Sequence, residues 1–113
     1  MVMPKPPKDF CIDSFGYKEY LGENDWSEPI YAESLQIEHC RIDRGAEYSS
    51  SSSGKVLLYN AVLFCYEGIT NPIPEFKVES VLHFDGTDHK LTKVIPIYEA
   101  YEKTIYSYEL EVV

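Results

Sequence analysis

A chain of 113 residues suits one domain with a buried core. Its 19 Asp and Glu against 10 Lys and Arg give a net charge of -9, which argues against a surface that grips nucleic acid by neutralising phosphates. No apolar run approaches the roughly 20 residues of a membrane-spanning helix, and the opening residues 1–7 lack the apolar segment of a signal peptide, so the chain reads as intracellular when made.

In chain order, residues 1–12 read as an extended arm, because the prolines at 4, 6 and 7 fit neither a helix nor a central strand. Phe15 to Leu21 alternates and reads as the first strand, with Phe15, Tyr17 and Leu21 on one side and Lys18 on the other. Gly22-Glu23-Asn24-Asp25 is a turn. Trp26 at its edge is expected as a lid on the core in preference to a ligand platform. A second strand centres on Leu35 to Ile42, and its apolar phase shifts between Ile37 and Cys40 in the manner of a β-bulge.

Residues 43–54 then form a long serine-rich stretch with nothing to bury, expected as a flexible loop between the second and third strands. Its residues are Asp43, Arg44, Glu47, Tyr48, Ser49, Ser50, Ser51, Ser52, Ser53 and Gly54 among others, with Arg41, Arg44 and Lys55 at its roots. Connections of this length inside a compact domain are often functional. Val56 to Tyr66 is apolar on both faces and reads as one central strand covered on both sides, interrupted by Asn60. Asn71-Pro72-Ile73-Pro74 lies in a rigid connector.

Asp85-Gly86 is a strong hairpin signal, because a type I′ turn needs positive φ at both central residues. The register it sets puts Phe84 opposite Thr87, His83 opposite Asp88, Leu82 opposite His89, Val81 opposite Lys90 and Ser80 opposite Leu91. Phe84, Leu82, Leu91 and Ile95 then share a core face, and Glu79, His83, Asp88 and Lys90 a solvent face. Residues 96–103 read as a short irregular link or a wide turn. Ile105 to Val113 closes the domain, with Tyr106, Tyr108, Leu110 and Val112 on one face. No segment has a 3.6-residue apolar period. The expected fold is all-β: a single small antiparallel barrel of about six strands spanning residues 1–113.

Catalytic chemistry is not visible. His39, His83 and His89 are scattered, no pair of carboxylates is singled out, and no nucleophile or phosphate-loop motif occurs. Cys11, Cys40 and Cys65 are odd in number and lack metal-ligand spacing, so buried reduced thiols are expected and neither a metal nor another cofactor is implied. An OB-like module for a peptide or nucleic acid remains a competing reading, and it requires a basic or aromatic groove.

Several runs resemble the minor capsid proteins of tailed phages and prophages of Gram-positive bacteria. They are Asn60-Ala61-Val62-Leu63-Phe64, Pro72 with Pro74-Glu75-Phe76, Val81 with Phe84-Asp85-Gly86, Lys93-Val94, and Tyr108-Glu109-Leu110-Glu111-Val112; Pro6-Pro7 and Tyr17-Lys18-Glu19-Tyr20 extend the likeness towards the N-terminus. The wider group is similar to head-completion, or stopper, proteins of the head–tail connector. The resemblance implies a structural, non-enzymatic subunit of the virion at the head–tail junction, made in the host cytoplasm. It implies portal, adaptor and tail proteins as partners, a ring of copies on assembly from a free monomer, and non-specific contact with packaged DNA. By position, it makes residues 43–54 the candidate loop that points into the DNA channel and closes it.

Overall fold

The structure, a computed structural model, describes residues 4–51 and 54–113. A single 3-10 turn (Lys8–Phe10) precedes ten strands: β1 (Asp13–Lys18), β2 (Tyr20–Glu23), β3 (Pro29–Tyr31), β4 (Leu35–Asp43), β5 (Glu47–Ser51), β6 (Gly54–Tyr59), β7 (Ala61–Tyr66), β8 (Val81–Phe84), β9 (Thr87–Tyr98) and β10 (Ile105–Val112). Six of them close an antiparallel barrel in the order β1-β4-β7-β10-β9-β8, while β2-β3 and β5-β6 are separate two-stranded ribbons. The expected all-β barrel is therefore present.

The barrel interior is a packed core with no bore. Phe15, Ile37, Leu63, Leu82, Leu91, Leu110 and Val112 are fully buried, one or two from each strand, which is what a barrel of this size needs to fill it. Phe76, in the connector between β7 and β8, packs edge-on against Tyr17 (centroids 5.3 Å apart) and Tyr108 (5.7 Å). The connector is pinned beside it: Lys77 N–H donates to the Tyr17 hydroxyl at 2.9 Å, and Asn71 exchanges two backbone hydrogen bonds with Glu38.

The β8–β9 hairpin has the expected register from Val81↔Lys90 to Phe84↔Thr87. Asp85 and Gly86 have φ of 53° and 73°, the positive pair a type I′ turn requires. His83 Nδ1 lies 2.6 Å from Asp88 Oδ1. The phase shift in β4 is a bulge: Asp13 pairs with Cys40 and Ser14 with Glu38, so His39, at φ 60°, is the extra residue. It lets both Ile37 and Cys40 point inward. Cys11, Cys40 and Cys65 are free and buried. Burial pushes the Cys40 thiol up to about 12 and holds that of Cys65 well above its usual range.

Six expectations need correction. A bulge at Thr92 puts Val94, not Ile95, opposite Leu110 and against the core. The first strand ends at Lys18, and Leu21 belongs to the β2–β3 ribbon, where it is exposed. Trp26 is no lid: at the tip of that ribbon it is 82% exposed. Val56 to Tyr66 is not one central strand, because the chain bends at Asn60; β7 stays in the barrel while β6 leaves it, and Val56 is exposed. Residues 43–51 are not a featureless loop but the root and first strand of the β5–β6 ribbon, and Gly54 begins its second strand. Finally, β9 runs on through Pro96 to Tyr98. Pro96 pairs with Tyr108 on one side, and β8 reaches only to Lys90 on the other, so the missing N–H sits on an edge that asks nothing of it.

Strand directions fix where the ribbons point. β1 is antiparallel to β4, and β4 to β7. The β2–β3 ribbon leaves where β1 ends and β4 begins; the β5–β6 ribbon leaves where β4 ends and β7 begins. They therefore project from opposite ends of the barrel, joined by β4. The radius of gyration, 15.4 Å, exceeds the roughly 13 Å of a compact chain of this length, as two projecting ribbons require.

Candidate functional site

The candidate loop sits on a geometric feature that sequence alone does not contain. In the β5–β6 ribbon Tyr48 pairs with Leu57, Ser49 with Val56, Ser50 with Lys55 and Ser51 with Gly54. Tyr48 and Val56 stand on opposite faces, and both are more than half exposed. Among the described side chains of the ribbon none is buried. An isolated two-stranded hairpin is marginal in water, and serine occupies three of the five positions of β5. Ser52 and Ser53 lie outside the described residues.

What holds the ribbon is its root. Arg44, just after β4, donates from Nε to Asp85 Oδ2 at 2.6 Å and from Nη2 to Asp85 Oδ1 at 3.2 Å. The same Nη2 donates to Asp13 Oδ1 at 3.0 Å, and Nη1 donates to the Ile42 carbonyl at 3.4 Å. The other oxygen of Asp13 accepts the Ile42 N–H at 3.0 Å. A planar guanidinium with two carboxylates in its fork is a directional clamp. The hydrogen bond from Arg44 holds the Asp85 carboxyl below its ordinary value, and the two carboxylates hold Arg44 firmly in its charged form.

The structure thereby joins the two features singled out by sequence: Asp85 in the hairpin turn and Arg44 at the ribbon root. The end of β8 and the end of β4 lie at the same pole of the barrel, which brings them together. Asp43, in contrast, is spent on pairing β4 to β7 opposite Val62, and Tyr48, Ser50 and Gly54 are strung along the ribbon without converging on any pocket. Asp13 was missed; an Asp at a strand start carries no sequence signal for a partner 31 residues away.

A concavity of about 590 Å³ is an open groove on the outside of β1, β4 and β8. Gly16 is part of its lining, and a Cβ there would lie 2.9 Å from Ser34 Oγ. Its polar lining includes Ser14, Gln36, His83 and Asp88, and Lys18 is its one cation against Asp85 and Asp88. It is not the basic or aromatic groove that a nucleic-acid module requires. Among the described residues no group of three or more His, Cys, Asp and Glu side chains could hold a metal ion, and no helix is long and apolar enough to cross a membrane.

Comparison with known proteins supplies what geometry alone does not. Residues 7–112 match the family described as "Minor capsid protein". The chain is similar to the uncharacterized protein ORF5 of Lactococcus phage LL-H, with 28% identity over 80 residues that cover 68% of each chain. No solved structure matches.

Proposed function

Because the chain belongs to the minor capsid protein family of phages of Gram-positive bacteria, we propose that it is the head-completion, or stopper, subunit of the head–tail connector. Membership itself makes it a structural component of the phage particle. In the finer reading, copies form a ring beneath portal and adaptor, the β5–β6 ribbons point into the DNA channel, and the opposite surface receives the tail. The free protein is a monomer that orders into the ring on docking.

The observation that carries this reading is the β5–β6 ribbon: a projecting two-stranded element with no buried side chain among those described, fixed to a rigid barrel at one clamped root. Such an element has two accessible arrangements at small energetic difference, and its exposed backbone edges can pair with those of neighbouring copies. Its serine-rich strand offers DNA few phosphate anchors, so DNA slides past when the ribbons part. The packed barrel has no bore, so any channel runs between subunits.

The test mixes purified protein with DNA-filled heads that lack this subunit. Full-length protein is expected to bind and retain DNA, whereas a version shortened within 47–54 binds and leaks. If neither binds, the connector role fails. If both retain DNA, the protein is a connector subunit whose ribbon is not the gate.

A further inference from the structure

The opposite pole carries a second projecting element, and its chemistry differs throughout. The β2–β3 ribbon pairs Tyr20 with Tyr31, Gly22 with Ile30 and Glu23 with Pro29. Its tip is rigid. Asn24 Oδ1 accepts the N–H groups of Trp26 (2.8 Å) and Glu28 (3.0 Å), the Asn24 carbonyl accepts the Ser27 N–H at 3.1 Å, and Asn24 N–H donates to the Glu28 carbonyl at 2.9 Å. Trp26, 82% exposed, is thus displayed on a fixed turn, with Leu21 and Ile30 exposed on the strands behind it. A rigid exposed Trp is the side chain that most often anchors a protein interface, and one held in place loses little entropy on binding.

The surrounding charge selects the partner. Residues 19–34 contain five carboxylates, Glu19, Glu23, Asp25, Glu28 and Glu33, and no Lys or Arg. Glu19 is paired with Lys77; among the described residues no ion pair reaches the other four. At the foot of the ribbon a cavity of about 190 Å³ is floored by Tyr17, Leu35 and Pro74 and rimmed by Glu19, Glu33 and Glu75. That combination suits a lysine or arginine side chain, whose stem lies on apolar surface while its head meets carboxylates.

We infer that the β2–β3 ribbon is the docking element for a different virion protein, one that presents an apolar socket for Trp26 ringed by Lys and Arg. DNA is excluded as the occupant by like charge. A second copy of this ribbon would face the same carboxylates, and several cations elsewhere on the chain are already taken: Arg44 by Asp13 and Asp85, Lys77 by Glu19, Lys90 by Glu79. The inference needs only that the chain is part of the particle, not that it is the stopper.

The experiment places photoreactive p-benzoylphenylalanine at position 26, or at exposed Thr92 as control, in protein incorporated into phage particles. Cross-linked peptides are mapped after irradiation. The expected product joins position 26 to a different virion protein, in a segment with more Lys and Arg than Asp and Glu. Combining it with Glu23→Lys, Asp25→Lys and Glu28→Lys lowers the yield per incorporated chain at least about tenfold and leaves the melting temperature unchanged. The inference is overturned by cross-links to another copy of this chain, to DNA or to a segment without basic excess. It is equally overturned by a yield no higher than at Thr92, or one insensitive to charge reversal. A mapped partner outside the portal, adaptor and tail keeps the docking inference and removes the connector reading, so the two fail separately.

Discussion

Arg44 earns its place through geometry, since it is nearly half exposed. Exposed ion pairs contribute about 0–1 kcal/mol to stability, so Arg44→Ala is expected to lower the melting temperature only slightly. Its local effect is larger: amide exchange across β5 and β6 accelerates while that of β7 and β10 does not change, measured by hydrogen exchange with mass spectrometry. Arg44→Lys does not restore protection, because a point charge cannot hold both oxygens of Asp85 and reach Asp13. The Asp85 carboxyl titrates lower when folded, so the clamp contributes fully above the ordinary value of 3.8 and is lost as the pH falls below it. His89 has the opposite chemistry. It stacks on Phe84 with centroids 4.1 Å apart, and burial lowers its pKa from 6.5. The unfolded chain therefore binds the proton first on acidification, and stability falls as the pH drops from 6.5 towards the folded value. His89→Phe is expected to flatten that part of the stability–pH profile, read from denaturant midpoints. Asp85 and Gly86 were legible in sequence because a two-residue turn is a local constraint; the partner of Asp85 was not, because it is set by which strands end at the same pole.

At the scale of elements, the ribbons and the barrel strands are built from similar residues and differ in what covers them. Val56 and Val62 illustrate this: both are β-branched residues in apolar runs, yet one is exposed and the other buried. Periodicity locates strands, but it does not reveal whether an outer face meets another layer, so the single strand expected over 56–66 breaks at Asn60. Pro96 misled for a related reason, since the rule against proline in sheets applies only where a neighbour needs its N–H. Connectors deserve the same scrutiny. Phe76 lies in a segment without strand structure, yet it is 8% exposed and touches two core tyrosines. Phe76→Ala is expected to cost about 3–5 kcal/mol, measured by urea denaturation, and to destabilise the barrel as a whole. Trimming Tyr48, also aromatic but more than half exposed, leaves the midpoint nearly unchanged.

For the whole molecule, charge follows topology. The segments that leave the β2–β3 pole (19–34, 67–80 and 99–104) carry ten Asp and Glu and two Lys, whereas those at the β5–β6 pole (43–60 and 85–86) carry three acids and two bases. The net charge read from composition is thus concentrated at one end. Composition made the acidity legible but not its polarity, because adding charges along a sequence discards which turns share a pole. The fold class was legible because alternation, turn residues and the absence of helical period all agree.

β4 is a barrel strand, and the chain enters it from one ribbon and leaves it towards the other. A load applied between the two tips therefore runs along one continuous backbone, flanked by β1 and β7. The covalent backbone of an already extended strand carries that load, and the hydrogen bonds to its neighbours lie across the line of force, unlike those of a hairpin peeled open rung by rung. Single-molecule pulling between the two ribbons is expected to show a stiff response with little extension, and pulling β9 away from β10 at one end a softer, stepwise one. The chain would act as a tie rod, stiff along the axis that joins its two ribbons.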